Sequence, residues 1–254
     1  MKVFFSAIMI GVLILLCLSQ TQAQAVIQDE TLVIVLIKAS RIGNTKYVKL
    51  LLDQGTNPDL KVADGSTALI WASLMGHADI VKLLLDKGAD PDSRMIDGST
   101  ALIWASKKGH INVVSQLLDN EANPDLKLTD GESALLIAVQ KGLTELVKLM
   151  LDKGANPDLQ SSAGLTPLMV ASLNGNTAIA GLLLDKKANA DLQRMDGITA
   201  LMVASMNGQT DIVSLLLNKG ANPDLKTSEG KTAADYAENN DIKSLLNNAS
   251  VNVN

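Results

Sequence analysis

Asp64-Gly-Ser-Thr-Ala-Leu-Ile-Trp-Ala-Ser73 and Asp97-Gly-Ser-Thr-Ala-Leu-Ile-Trp-Ala-Ser106 are the same stretch written twice, 33 positions apart. Weaker copies start at Asp130, Ala163, Asp196 and Glu229, and a divergent one at Thr31, so one frame covers nearly all of the chain from Thr31 on without insertion or deletion. Self-similarity at this period denotes a stack of small units, each leaving apolar faces that only its neighbours can cover.

The unit from Asp64 to Ile96 can be read residue by residue. Asp64-Gly65 is a tight-turn dipeptide, since Gly accepts positive φ and the Asp side chain can bond its own turn. Thr67 stands where a helix should begin, its hydroxyl able to accept from a free N–H, and Leu69, Ala72 and Ser73 follow at helical spacing. Gly76 ends that helix in the left-handed region. A second helix is expected from about Ala78 to Lys87. Ile80, Val81, Leu83, Leu84 and Leu85 make it apolar on more than one side, so it needs neighbours on both flanks. Gly88 caps it, and Asp90-Pro91-Asp92 opens an extended connection in which Pro cannot continue the helix.

This succession of an Asp-Gly turn, a Thr-Pro-Leu-His step, an Ala, a Gly, an apolar helix ending in Leu-Leu and then Gly-Ala resembles the ankyrin repeat. The resemblance implies an all-α solenoid of stacked helix-turn-helix units with turn or hairpin connections, with repeats starting near 31, 64, 97, 130, 163, 196 and 229. Departures from the motif are specific. Only Thr166-Pro167-Leu168-Met169 keeps the Pro, the other starts reading Thr67-Ala68, Thr100-Ala101, Ser133-Ala134, Thr199-Ala200 and Thr232-Ala233. The motif's His is replaced by Ile70, Ile103, Leu136, Met169 and Met202, which removes a polar link between turns. The Gly closing the second helix is present as Gly55, Gly88, Gly154 and Gly220 but replaced by Glu121 and Lys187. A non-Gly residue in the left-handed region costs about 1–2 kcal/mol, so those two helices are expected to fray first.

Residues 1–23 stand outside the frame. Lys2, the apolar run Phe4 to Leu18 and the small residues of Thr21-Gln22-Ala23-Gln24-Ala25 predict a cleavable secretory signal. The apolar run is shorter than the roughly 20 residues that span a bilayer, which argues for cleavage over an anchor. Leu16 before Cys17 argues against a lipoprotein signal, which has a small residue there. Cleavage removes the single Cys and both Phe, so the mature chain forms neither disulfides nor cysteine metal sites. The net charge of −5 becomes −6 with the loss of Lys2, and a mildly acidic surface disfavours nucleic acid and anionic membrane.

The repeat domain is expected over 26–246. Its first unit, apolar through Leu32 to Ile37 with a helix from Tyr47 to Asp53, reads as the N-terminal cap. The β-branched run leaves a short strand open as an alternative there. The more polar unit containing Thr232 to Ala237 and Ile242 to Leu246 reads as the C-terminal cap, with 247–254 a disordered tail.

Candidate chemistry is sparse. His77 and His110 each follow a Gly at one repeat position, about one helix-packing distance of 10 Å apart, too far for a shared ion. The steps at Asn57, Asp90, Asn123, Asn156 and Asn222 look acidic enough for calcium but lack the ligand spacing and bidentate Glu of a dedicated loop; turn chemistry explains them. No nucleophile elbow, zinc-binding helix or phosphate loop is present, so no catalytic residue, metal or cofactor is assigned and the chain reads as non-enzymatic.

Trp71 and Trp104 are the sharpest remaining signal, at one position in the inner helices of adjacent repeats. The resemblance implies that this helix lines the concave side. The pair is either core, as the apolar Ile137, Val170 and Val203 at later copies suggest, or the centre of a partner-binding patch. The patch would comprise Trp71, Met75, Arg94, Met95, Ile96, Trp104, Lys107, Lys108 and Lys141. The resulting expectation is a monomeric, exported binder of another protein, in the periplasm or secreted. Its role is that of an adaptor or protective binder of an envelope protein, or alternatively an effector or immunity-type inhibitor of a foreign one.

Overall fold

The structure, a computed structural model described over residues 32–251, places two helices in every unit of the 33-residue frame. In chain order these are α1 (32–41), α2 (Thr45–Asp53), α3 (Ala68–Met75), α4 (Ala78–Asp86), α5 (Ala101–Lys108), α6 (Ile111–Asp119) and α7 (Ala134–Gln140). They continue as α8 (Thr144–Asp152), α9 (Pro167–Leu173), α10 (Thr177–Asp185), α11 (Ala200–Met206), α12 (Thr210–Asn218), α13 (Ala233–Tyr236) and α14 (Asn240–Val251). From α3 on, odd-numbered inner helices pack on one another in order; from α2 on, the even-numbered outer helices do the same, giving two layers. Among the described residues there is no strand, only the isolated bridge Lys127–Ser133.

Each inner helix starts as the residues dictate. Thr67, Thr100, Ser133, Thr166 and Thr199 are extended, and each hydroxyl accepts from the backbone N–H three residues on. Such a cap is worth about 1 kcal/mol, repeated along the stack. Gly76 and Gly109 close α3 and α5 with φ of 77° and 75°. Pro167 sits at the first turn of α9, where its missing N–H costs nothing.

The core is continuous along the stack rather than divided among units. Ile80, Val81 and Leu84 of α4 are fully buried, as are Val114 and Leu117 of α6 and Ile179, Ala180 and Leu183 of α10. Each such Leu, Ile or Val contributes roughly 1.5–3 kcal/mol only because adjacent units cover it. Ile70, Ile103, Leu136, Met169 and Met202, standing where the motif has His, are all buried.

Polar links between units run elsewhere. The Asp92, Asp125, Asp158 and Asp191 side chains accept the backbone N–H of Asn123, Asn156, Asn189 and Asn222, each 31 residues on, at 2.8–2.9 Å. Within each step the first Asx accepts the N–H two residues later, as Asn123 does from Asp125 at 3.0 Å. The acidic steps are therefore turn and stacking devices. Asn189-Ala190-Asp191, without Pro, does the same. The histidines are a second such device: His77 donates from Nε2 to the Arg41 carbonyl at 3.1 Å, and His110 to that of Leu74 at 3.2 Å. A Cβ on Gly43 or Gly76 would strike those rings at 2.8 Å, so the glycine and the histidine of the next unit fit as a pair.

The N-terminal end resolves an alternative left open in the sequence, and the C-terminal end differs from expectation. Residues 32–41 are helical, which settles Leu32 to Ile37 against a strand: the run presents Val33, Leu36, Ile37 and Ala39 inward at helical spacing. The outward side of this first unit is apolar rather than polar. Tyr47 is 43 % exposed, whereas Ile80, its equivalent one repeat on, is fully buried by the unit before it. At the other end α14 continues to Val251, so the tail expected from 247 is helical to that point. Leu246 is buried, and the Ser250 hydroxyl donates to Asp224 at 2.8 Å, tying the helix back to the sixth connection. The expected signal, residues 1–23, lies outside the described residues, as do 252–254.

Candidate functional site

The inner helices and the hairpin-like turns that precede them form one face. Each turn closes on itself, Met95 N–H donating to Ser99 O at 2.9 Å, and is laid against the previous one, Ile96 N–H donating to Asp64 O at 3.0 Å. Gly65 is required twice over: its φ is 83°, and a Cβ there would meet the Arg94 carbonyl oxygen at 2.8 Å. The approach of successive turns sets Arg94, Met95 and Ile96 at the edge of the surface carrying the tryptophans.

Trp71 and Trp104 are neither core nor free. Both are partly buried and pack against the core from one side. The Arg41 guanidinium lies 5.3 Å from the centre of the Trp71 ring, and the Lys107 ammonium 5.1 Å from that of Trp104. Each indole is thus sandwiched between apolar packing and a cation drawn to its π face. Trp71 Nε1 donates to the Ser66 hydroxyl at 3.1 Å. Trp104 Nε1, with Ser99 at the corresponding place, has no acceptor.

The remaining expected residues fall around this pair. Met75 is 48 % and Ile96 77 % exposed, Arg94, Lys107, Lys108 and Lys141 are exposed, and Met95 is half-buried. α3 packs on α5 and α5 on α7, so Met75, Lys108 and the cap residue Lys141 occupy one register on consecutive helices. Arg41, which faces Trp71 from the first unit, was not among the expected residues; the divergent first copy hides its equivalence to Leu74 and Lys107.

The same face continues into a second region that sequence reasoning missed. Leu173 and Met206 hold the register of Lys107 and are about half exposed, beside a pocket of about 170 Å³ that they line with Val170, Val203 and Arg194. Met195, at the turn tip corresponding to Ile96, is almost wholly exposed. Arg194 pairs with Asp196 at the rim, its guanidinium holding the Asp196 carboxyl down at about 2, well below the usual carboxylate range. The signal was available: Leu173 and Met206 are apolar where the third and fourth units carry Lys107 and Gln140.

Models of the family described as ankyrin repeats, three copies, match residues 7–95, 36–127, 102–196 and 168–254. The chain belongs to the ankyrin repeat proteins. No curated protein matches it. Among solved structures it is similar to the ankyrin repeat domain of Bcl-3, described as a unique member of the IkappaB protein family. That similarity has 28 % identity and a TM-score of 0.77, over 84 % of this chain and 97 % of that one. It is likewise similar to the human ASB11 ankyrin repeat domain, at 28 % identity and TM-score 0.69 over 84 % of this chain and 96 % of that one. A third is an ankyrin repeat domain from Acinetobacter baumannii AYE, at 29 % identity and TM-score 0.70 over 74 % of this chain and 98 % of that one. Ankyrin repeat domains mediate protein–protein interaction and are typically non-enzymatic scaffolds.

Proposed function

We propose that this ankyrin protein is an exported, non-enzymatic binding module, acting in the periplasm as an adaptor or protective binder of an envelope protein through its inner-helix face. The observation that carries the binding surface is the state of Trp71 and Trp104: large aromatic side chains held by the core on one side, only partly buried, and carrying a solvent-exposed cation on the other. Bound partners draw most of their energy from such anchors, because fixing them costs little extra entropy. Met75 and Ile96 extend the apolar area beyond the isolated exposed residues every surface carries. Export rests on the leader-like composition of residues 1–23.

The test is affinity capture from the source cells with the native chain and with a Trp71→Ala/Trp104→Ala variant. An envelope protein retained by the first and lost by the second is the expected result. A captured chain held equally by both would place the contact elsewhere, and a cytosolic partner would overturn the assigned compartment.

A further inference from the structure

Charge on this molecule is segregated by layer. The six inner helices from α1 to α11 contain no Asp or Glu over their described residues, although the chain carries a net −5. They do contain cations: Lys38, Arg41, Lys107 and Lys108, with Lys141 at the end of α7, all exposed. The eight ion pairs among the described residues lie on outer helices, their turns, or the turns at Arg194 and Lys231, and none engages an inner-helix cation. Arg41 and Lys107 rest on tryptophan faces instead of on carboxylates. Stacking on indole fixes a cation's position without neutralising it, so its charge stays open to an anion.

These cations are confined to the first four units. Across α9 and α11 the same face turns apolar, with Leu173 and Met206 half exposed over their pocket and the nearby charge closed off as the Arg194–Asp196 pair. Resting on the reading of this face as a binding surface, we propose that its occupant is an extended acidic peptide segment of a partner protein. Carboxylates of the segment lie over Arg41, Lys107, Lys108 and Lys141, and aliphatic side chains further along it enter the pocket at Leu173 and Met206. A uniform polyanion fits less well: the cations do not run the length of the face, and Asp64, Asp97 and Asp130 at the turn tips oppose a continuous row of phosphates.

Selection of a random peptide library on the purified protein tests this. The expected winners carry an Asp/Glu cluster separated from a Leu/Ile/Met/Phe cluster. Binding of a synthetic winner should weaken about tenfold or more in Lys107→Glu/Lys108→Glu/Lys141→Glu and with rising salt. It should also weaken in Leu173→Asp, and stay unchanged in the outer-helix control Lys46→Glu/Lys148→Glu. Winners without acidic bias that are nevertheless lost in Trp71→Ala/Trp104→Ala would overturn the acidic segment and leave the binding face standing. Winners indifferent to every inner-face change would overturn both. Tighter binding of a single-stranded oligonucleotide than of any selected peptide would replace the peptide by a nucleic acid.

Discussion

Lys87 Nζ lies 2.8 Å from Oδ1 of Asp53, a residue 34 positions earlier on the preceding outer helix. The step recurs as Lys153–Asp119 at 2.5 Å, Lys186–Asp152 at 2.8 Å and Lys219–Asp185 at 2.7 Å, a ladder along the outer layer. It is interrupted once, where Asn120 replaces the lysine and leaves Asp86 paired with Lys82 of its own helix. The outer layer uses its charge to join units, and the inner-helix cations take no part in that ladder.

The ladder makes acid stability predictable. Hydrogen bonds from Lys49 and Lys87 hold the Asp53 carboxyl at about 2, and those from Lys153 and Lys186 lower Asp119 and Asp152. A carboxylate whose folded pKa lies below its unfolded value stabilises the fold above the unfolded value and loses that contribution as pH falls through the folded one. The melting temperature should therefore drop between about pH 4 and pH 2, and less steeply in Lys87→Met/Lys153→Met/Lys186→Met. Because the pairs are exposed, the difference between the two proteins should shrink in high salt. Equal acid limbs in both would remove the ladder from the account.

Glu121 and Lys187 have φ of 63° and 64°, in a region where the equivalent Gly55, Gly88, Gly154 and Gly220 have φ of 86° to 88° or, for Gly88, 83°. Glu121→Gly and Lys187→Gly should each raise stability by up to about 1 kcal/mol, relief of strain outweighing the entropy Gly adds to the unfolded chain. Gly88→Ala, where added bulk meets nothing within 4 Å but the positive φ remains, should lower it by about 1–2 kcal/mol. Denaturant midpoints decide, and a fall in both Gly variants would mean that these side chains make contacts worth more than the strain.

The parts of this structure that were legible in the sequence are those set within one unit. Thr67 as a cap, Gly76 as a stop and Ile80 as core follow from spacing alone, because local bonds and helical period determine them. What depends on the rotation between units was not. The Lys87–Asp53 contact, the Asp92–Asn123 link and the seat of Arg41 over Trp71 join residues 30 or more positions apart, and no local pattern marks them. The helical 247–251 was missed for a related reason. Asn-rich composition weakens local helix propensity, and docking of Leu246 and the Ser250–Asp224 bond override it. Leu173 and Met206 were not singled out in the sequence, because an apolar residue looks the same whether the neighbouring unit covers it or leaves it half open.

The leader-like segment gives a third expected outcome. The mature chain should begin near Gln24 or Val26, after the small residues at Ala23 and Ala25. N-terminal sequencing of the protein purified from fractionated cells checks this. An intact Met1 in the membrane fraction would show an anchor, and an intact Met1 in the cytosol would remove export altogether.

The tryptophan pair separates packing from binding. A fully buried Trp replaced by Ala costs about 3–5 kcal/mol of folding, whereas an anchor in a binding face costs about 2 kcal/mol or more of affinity with a smaller loss of stability. Trp71 and Trp104 are partly buried, with one side on the core and the other under Arg41 and Lys107, so each Ala variant should destabilise by less than the full core cost. The chain has no other tryptophan, which makes their fluorescence a direct report on the site. A neutral quencher should reach both in the free protein, to an extent between that of a core and an exposed indole, and should be shut out when a groove-binding peptide is added. Arg41→Ala and Lys107→Ala uncover the ring faces and should raise quenching of the free protein while weakening an acidic peptide. Complete protection without any ligand, or a folding loss in the double Ala variant as large as two core deletions, would return the pair to the core and leave the face without its anchors.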